Sequence, residues 1–151
     1  MAILLQRQEL ARRSYGRIMH VRTGTDGFKH AGLTHPSGQR QEELFRITYE
    51  EAQIDPACVS YVEAHGTGTP IGDPEELGSI SRAYCNNCKR KAPLLIGSVK
   101  SNMGHGESGA AMASLAKIVV AIQTGIIPGN LHFKAPRAEL KSLMDEGKLK
   151  V

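Results

Sequence analysis

Leu94-Leu95-Ile96-Gly97-Ser98-Val99 is a continuous apolar run after a break at Pro93, and it limits the possible folds more than any other segment. A strand without polar alternation suits burial on both faces, the situation in parallel sheets covered by helices. A second β-type run, Val59-Ser60-Tyr61-Val62-Glu63-Ala64, follows Asp55-Pro56. Between the two runs a helix start is marked by Asp73 as N-cap, Pro74 at the first helical position, and Glu75 and Glu76 in the first turn. Leu77, Ile80 and Tyr84 then share one face of that helix. An earlier helix capped by Ser37 or Gly38 is expected to run to about Gln53, with Leu44, Phe45, Ile47 and Ala52 as its apolar contacts. A further helix is expected from about Glu107 to Thr124, stopped by Gly125, with Pro128 beyond. Apolar residues cover that helix almost all round, which predicts burial between layers. Residues 22–40, rich in Gly, Thr, His, Pro and Ser, read as a long irregular loop. The order strand, helix, strand, helix predicts an α/β fold with a parallel sheet and right-handed crossovers.

Composition removes several classes of function. The 151 residues are 40% hydrophobic and 23% charged, an ordinary globular mix that excludes disorder as the main state. No run of ~18 apolar residues is present, so no membrane span is expected. The N-terminus lacks a basic region before its apolar residues and meets charge at Arg7, which argues against a secretory signal and for a cytoplasmic protein. A net charge of +4 with scattered basic residues, the densest being Lys89-Arg90-Lys91, and 5% aromatics gives no nucleic-acid footprint. Cys58, Cys85 and Cys88 are an odd set that favours free thiols. Cys85 and Cys88 have the gap of a metal or redox pair, but no second pair of ligands stands nearby, so no metal site is expected; a zinc module remains the alternative.

The chemistry gathers just after the two strands. The first is followed by His65-Gly66-Thr67-Gly68-Thr69-Pro70, the second by Lys100-Ser101-Asn102-Met103-Gly104-His105-Gly106-Glu107. In parallel sheets, ligands sit beyond the carboxyl ends of the strands. If the strands are parallel neighbours, His65, His105 and Lys100 should therefore share one pocket. Glycines allow close backbone approach, and the threonine hydroxyls can serve an amide-bearing substrate. His105 precedes a helix, whose free N–H groups and dipole favour a neutral imidazole and suit a developing oxyanion. A phosphate loop is not indicated, because the Gly-Lys-Ser/Thr ending is absent. Spacing alone leaves both an enzyme site and ordinary hydrogen-bonding loop residues open.

Val62-Glu63-Ala64-His65-Gly66-Thr67-Gly68-Thr69-Pro70-Ile71-Gly72-Asp73-Pro74 resembles the first histidine motif of β-ketoacyl synthases, and Gly97-Ser98-Val99-Lys100-Ser101-Asn102-Met103-Gly104-His105 resembles their lysine and second-histidine motif. Pro128-Gly129-Asn130-Leu131-His132-Phe133 and Thr25-Asp26-Gly27 fit the same family, and the likeness runs from about Ile3 to Lys150. Met103 and Thr25-Asp26-Gly27-Phe28-Lys29 make the chain most similar to the ketosynthase domain of animal-type (type I) fatty acid synthase, with polyketide synthases as the alternative.

The resemblance implies a thiolase-like fold, complete as an αβαβα arrangement of two halves, with residues 1–151 as an incomplete C-terminal half. It implies a decarboxylative Claisen condensation of acyl and malonyl thioesters carried on the phosphopantetheine of acyl carrier protein. His65 and His105 would polarise the malonyl thioester carbonyl, Lys100 would fix the charge around the second histidine, and Thr67 and Thr69 would bind amides of the phosphopantetheine arm. Glu107 would support the site through an ion pair with Lys100. No cofactor is expected to bind directly, NADPH serving other domains of the parent synthase. Acyl carrier protein, an N-terminal half and a second copy in a homodimer are the expected partners. The family's nucleophilic cysteine lies in that N-terminal half, so no nucleophile is expected here and the fragment alone is expected to be inactive. Asp55-Pro56-Ala57-Cys58 looks similar to the nucleophile elbow but leads straight into the first strand, and Cys58 is rejected. The family's closing Gly-rich loop is also expected to lie outside the chain. An inactive fragment that only binds carrier protein or a partner half is the remaining alternative.

Overall fold

The computed structural model describes residues 2–86, 90–146 and 148–151. After an irregular N-terminal segment, α1 (Gly38–Ala52) opens where the Ser37 hydroxyl accepts the Arg40 N–H, and it closes on Gln53 in a left-handed conformation. These are the limits its sequence predicts. Asp26 organises the preceding loop by accepting the Ser37 N–H at 2.9 Å while pairing with Lys29.

Strand β1 (Tyr61–Glu63) is shorter than the apolar run around it. The preceding carbonyls of Pro56 and Val59 are taken by the Arg90 guanidinium instead of a ladder. Helix α2 (Gly72–Ser81) follows and continues into a π-helical turn, Arg82–Asn86. Its start corrects the expected cap. Thr69 Oγ1 accepts the Gly72 N–H at 3.1 Å, while Asp73 reaches back to the Gly68 N–H at 3.0 Å. Strand β2 (Leu94–Gly97) then leads into a short helix α3 (Lys100–Met103) and the long α4 (Ala110–Thr124), which ends at Gly125 as its sequence predicts. Helix α5 (Ala138–Asp145) and strand β3 (Leu149–Lys150) complete the fold.

The sheet has the order β1-β2-β3 and is parallel throughout, with Val62 opposite Ile96 and Leu94 opposite Leu149. Side chains alternate across a strand. Leu94 and Ile96 therefore enter one core with Ile80, Tyr84 and Leu149, against which Phe45, Leu77 and Leu143 pack. The Tyr84 ring meets Phe45 and Tyr49 at 5.6 and 5.2 Å. Gly97 faces the opposite side, toward Lys117 of α4. This is the layered α/β arrangement the residue pattern predicts.

The expected burial of α4 does not hold. Leu115, Val120 and Ile122 are exposed, and among its residues only Ala110 and Lys117 are buried. One side of α4 meets the sheet, and no described element covers the other. An open apolar trough of about 670 Å³ lies beside it, lined by Val99, Met103, Met112, Ala116, Val120 and Pro128.

Candidate active site

Because β1 and β2 are parallel neighbours, the loops that follow them leave the sheet at one edge. The His65 and His105 rings meet there edge to face, with centroids 5.3 Å apart and planes at 88°. Parallel pairing of the two strands predicts this meeting.

The first loop is fixed through its backbone. Glu76, on α2, accepts the N–H of His65 at 2.6 Å and that of Gly66 at 2.9 Å with its two carboxylate oxygens. Ser98 Oγ donates to the His65 carbonyl at 3.2 Å, joining this loop to the end of β2. Gly66 has φ +49°, and a Cβ there would stand 2.8 Å from Ser98 Cβ, so both the conformation and the space demand glycine. Arg137 donates to the Gly68 carbonyl at 2.8 Å from the start of α5. The Thr67 and Thr69 hydroxyls lie 3.5 Å apart, and Thr69 also holds the start of α2.

The second loop turns sharply. Gly104 adopts φ 77°, ψ 178°, a region open essentially to glycine alone. Glu107 then takes φ 42°, which turns its N–H onto His105 Nδ1 at 2.9 Å. A backbone N–H can only donate, so Nδ1 is the acceptor and the proton of the neutral ring sits on Nε2. Glu107 thus supports His105 through its main chain. The expected ion pair between Glu107 and Lys100 is not among the ion pairs of the described residues. Lys100 is half-buried at the start of α3, its N–H on Ser98 Oγ at 3.4 Å. Among the described residues it is in no ion pair.

Several further groups, not marked by local sequence pattern, hold these loops. Asn130 Oδ1 accepts the Ser98 N–H at 3.0 Å, where β3 has already ended. Glu63 and Lys117 form an ion pair of 2.9 Å with side chains only 6% and 5% exposed. Burial and the neighbouring Glu63 carboxylate push the Tyr61 phenol far above its ordinary value of 10, so it stays protonated. Asn130 and Glu63 sit in motifs already noted in the sequence, but nothing in local spacing marks Glu63 or Glu76 as partners of distant backbone, or Lys117 as the partner of Glu63.

Neither described cysteine shares the histidine edge. Cys58 is exposed and precedes β1, at the opposite end of that strand from His65. Cys85 lies near the start of β3, with its Sγ 3.6 Å from the Lys148 carbonyl. Cys88 and Lys89 lie outside the described residues. Among the described residues no group of three or more His, Cys, Asp or Glu could hold a metal ion, and no helix is long and apolar enough to cross a membrane.

Comparison with known proteins gives a consistent result. Residues 15–134 match the family model described as beta-ketoacyl synthase, C-terminal domain. The chain is 44% identical over 124 residues to a fatty acid synthase from Anser anser anser, covering 82% of this chain and 35% of that sequence. It is 46% identical over 115 residues to the highly reducing polyketide synthase SAT13 of Stachybotrys chartarum, covering 76% of this chain and 5% of that one. Among solved structures, a ketosynthase from module 6 of the bacillaene synthase of Bacillus subtilis superposes with TM-score 0.77 at 38% identity, over 84% of this chain and 23% of that one. The chain thus spans about a third, or less, of the length of each of these relatives.

Proposed function

The chain belongs to the β-ketoacyl synthase family, and from that premise we propose that its two histidines drive the decarboxylation that powers a Claisen condensation. The substrate is a malonyl thioester carried on the phosphopantetheine of acyl carrier protein. Its bond to the carboxylate breaks, CO₂ leaves, and the electron pair delocalises onto the thioester oxygen. His65 and His105 donate to that oxygen. Such donors are worth most when charge appears only in the transition state. The carbanion then attacks the carbonyl of an acyl group held on a cysteine sulfur, forming the new carbon–carbon bond and releasing the thiolate.

The observation that carries this reading is the histidine pair, whose ring centroids stand 5.3 Å apart at one sheet edge. The His105 tautomer supports it, because Nε2 is left as the donor. Lys100 adds positive charge beside His105, and the Thr67 and Thr69 hydroxyls serve the amides of the arm.

The nucleophilic cysteine comes from an N-terminal half outside residues 1–151, since Cys58 and Cys85 both lie away from the histidine edge. That half covers the exposed side of α4. The complete domain is a cytoplasmic homodimer within a multifunctional synthase, binds no cofactor itself, and relies on NADPH used by other domains. Fatty acid synthesis is the reading supported by the avian relative, and polyketide synthesis by the fungal one. The acyl products of the parent synthase distinguish them.

Decarboxylation of malonyl-acyl carrier protein, followed as CO₂ release, is the test. Residues 1–151 alone should show no condensation, and adding the N-terminal half should restore decarboxylation. His105→Ala should then lower kcat by about 10²–10³-fold, the cost of one oxyanion donor. Full activity in that variant refutes the role of His105, and condensation by the chain alone reopens Cys58 as nucleophile.

A further inference from the structure

Below the histidine edge, on the α4 side of the sheet, lies a buried charged cluster to which the proposed chemistry gives no role. Glu63 ends β1, two residues before His65. Its Oε2 meets Lys117 Nζ at 2.9 Å and accepts the Tyr61 hydroxyl at 2.5 Å, while Lys117 also donates to Tyr61 Oη at 2.8 Å. Its other oxygen, Oε1, accepts the N–H of Val99 at 2.5 Å. Gly97, opposite Glu63 in the ladder, leaves room for the cluster: a Cβ there would strike Tyr61 Oη and come within 3.1 Å of Lys117 Nζ.

Stability does not explain this arrangement. A buried ion pair is costly to desolvate, and apolar groups of the same volume often serve a fold as well or better. What apolar groups cannot do is bind an N–H across the gap between two strand ends. The backbone ladder stops with the Ala64 N–H on the Gly97 carbonyl at 2.8 Å. Val99 lies beyond that point, immediately before Lys100, where the loop to His105 departs. The Glu63–Val99 bond carries β1–β2 pairing past the end of the ladder, beside the Ser98 hydroxyl on the His65 carbonyl. Lys117 and Tyr61 hold the second carboxylate oxygen, so Oε1 has one place to be.

We infer that Glu63 is a positioning residue that sets the separation of the two histidine loops by clamping the Val99 N–H, with Lys117 and Tyr61 fixing its carboxylate. This rests on the reading of His65 and His105 as the decarboxylating pair.

The test uses the chain complemented by the N-terminal half, with kcat and KM for malonyl-acyl carrier protein read separately. Glu63→Gln with Lys117→Met removes both charges and keeps an oxygen for the Val99 N–H. Glu63→Leu with Lys117→Met removes both charges and that oxygen. The glutamine pair should turn over about 10- to 100-fold faster than the leucine pair, the scale of misplacing a catalytic group by ~1 Å, with KM within about threefold. Equal kcat at equal melting temperature overturns the proposal, because a merely structural cluster would not separate the pairs. Should the leucine pair fail to fold, Val99→Pro deletes the N–H while exchanging the buried valine side chain for a pyrrolidine ring, and φ −58° at Val99 suits proline. That variant must reproduce the kcat loss, and wild-type kcat in it also overturns the proposal. His105→Ala is run alongside. Full decarboxylation there removes the histidine assignment itself, whereas a loss there with no difference between the pairs removes only the role of Glu63.

Discussion

Replacing Glu76 by alanine should loosen the His65 loop at two identifiable atoms. Its carboxylate accepts the N–H groups of His65 and Gly66 at 2.6 and 2.9 Å. A hydrogen bond to a charged acceptor contributes about 1.5–3 kcal/mol, so two buried ones would contribute about 3–6. The site is open, however: His65 is exposed and Glu76 half-buried. Water can replace the lost acceptor, which brings the expected cost to about 2 kcal/mol for Glu76→Ala. Glu76→Gln keeps one acceptor oxygen and turns an NH₂ against the other N–H, and about 1 kcal/mol is expected. For a chain this long, each kcal/mol lowers the melting temperature by roughly 2–4 °C, so alanine should cost about 4–8 °C. Urea unfolding followed by circular dichroism measures the stability. Hydrogen exchange at the His65 and Gly66 amides measures the cause, since those two protons should lose protection while the α2 amides keep theirs. A stability change below about 0.5 kcal/mol, or retained protection at both amides, would show that the carboxylate does not hold the loop.

Two further outcomes follow from packing and charge. Gly97→Ala drives a methyl into Tyr61 Oη and within 3.1 Å of Lys117 Nζ, so overpacking of about 1–3 kcal/mol is expected; Tyr61→Phe should relieve part of it, and strictly additive losses in the double variant would contradict the clash. Asp26 is held below its ordinary pKa of 3.8, chiefly by its hydrogen bond to Lys29 and then by the Ser37 N–H. Its folded value lies under its unfolded one, so its stabilisation is complete above pH 3.8 and fades as pH falls through the folded value. The stability gap between wild type and Asp26→Asn should therefore shrink below about pH 4 in urea titrations, and a gap constant down to pH 2.5 would refute the assignment.

What the sequence made legible is governed by short-range rules. Ser37 as cap and Gly125 as stop act within one helical turn, and both stand where composition puts them. The meeting of His65 and His105 was legible because strand order alone sends two successive loops to one edge. What escaped depends on long-range partners. Asp73 has the composition of an N-cap but bonds Gly68, because Thr69 already serves the Gly72 N–H. Strand β3 has only two residues, and its burial at Leu149 follows from pairing with β2, which no local pattern encodes. The all-round apolarity of α4 predicted burial between layers, yet the described residues cover only one side of it.

The acidic residues around the site show why loops this irregular can hold two imidazoles in place. Loop backbone that joins neither helix nor sheet leaves N–H groups without partners, and leaving them unpaired is costly. Here carboxylates take them: Glu63 serves Val99, Glu76 serves His65 and Gly66, and Asp73 serves Gly68. Among the described residues no carboxylate hydrogen-bonds or ion-pairs with the His65 or His105 ring. That division has a chemical consequence. In the proposed reaction, a carboxylate against either ring would accept the N–H assigned to the thioester oxygen. Committing the acids to the main chain fixes the loops and keeps the ring edges open to substrate.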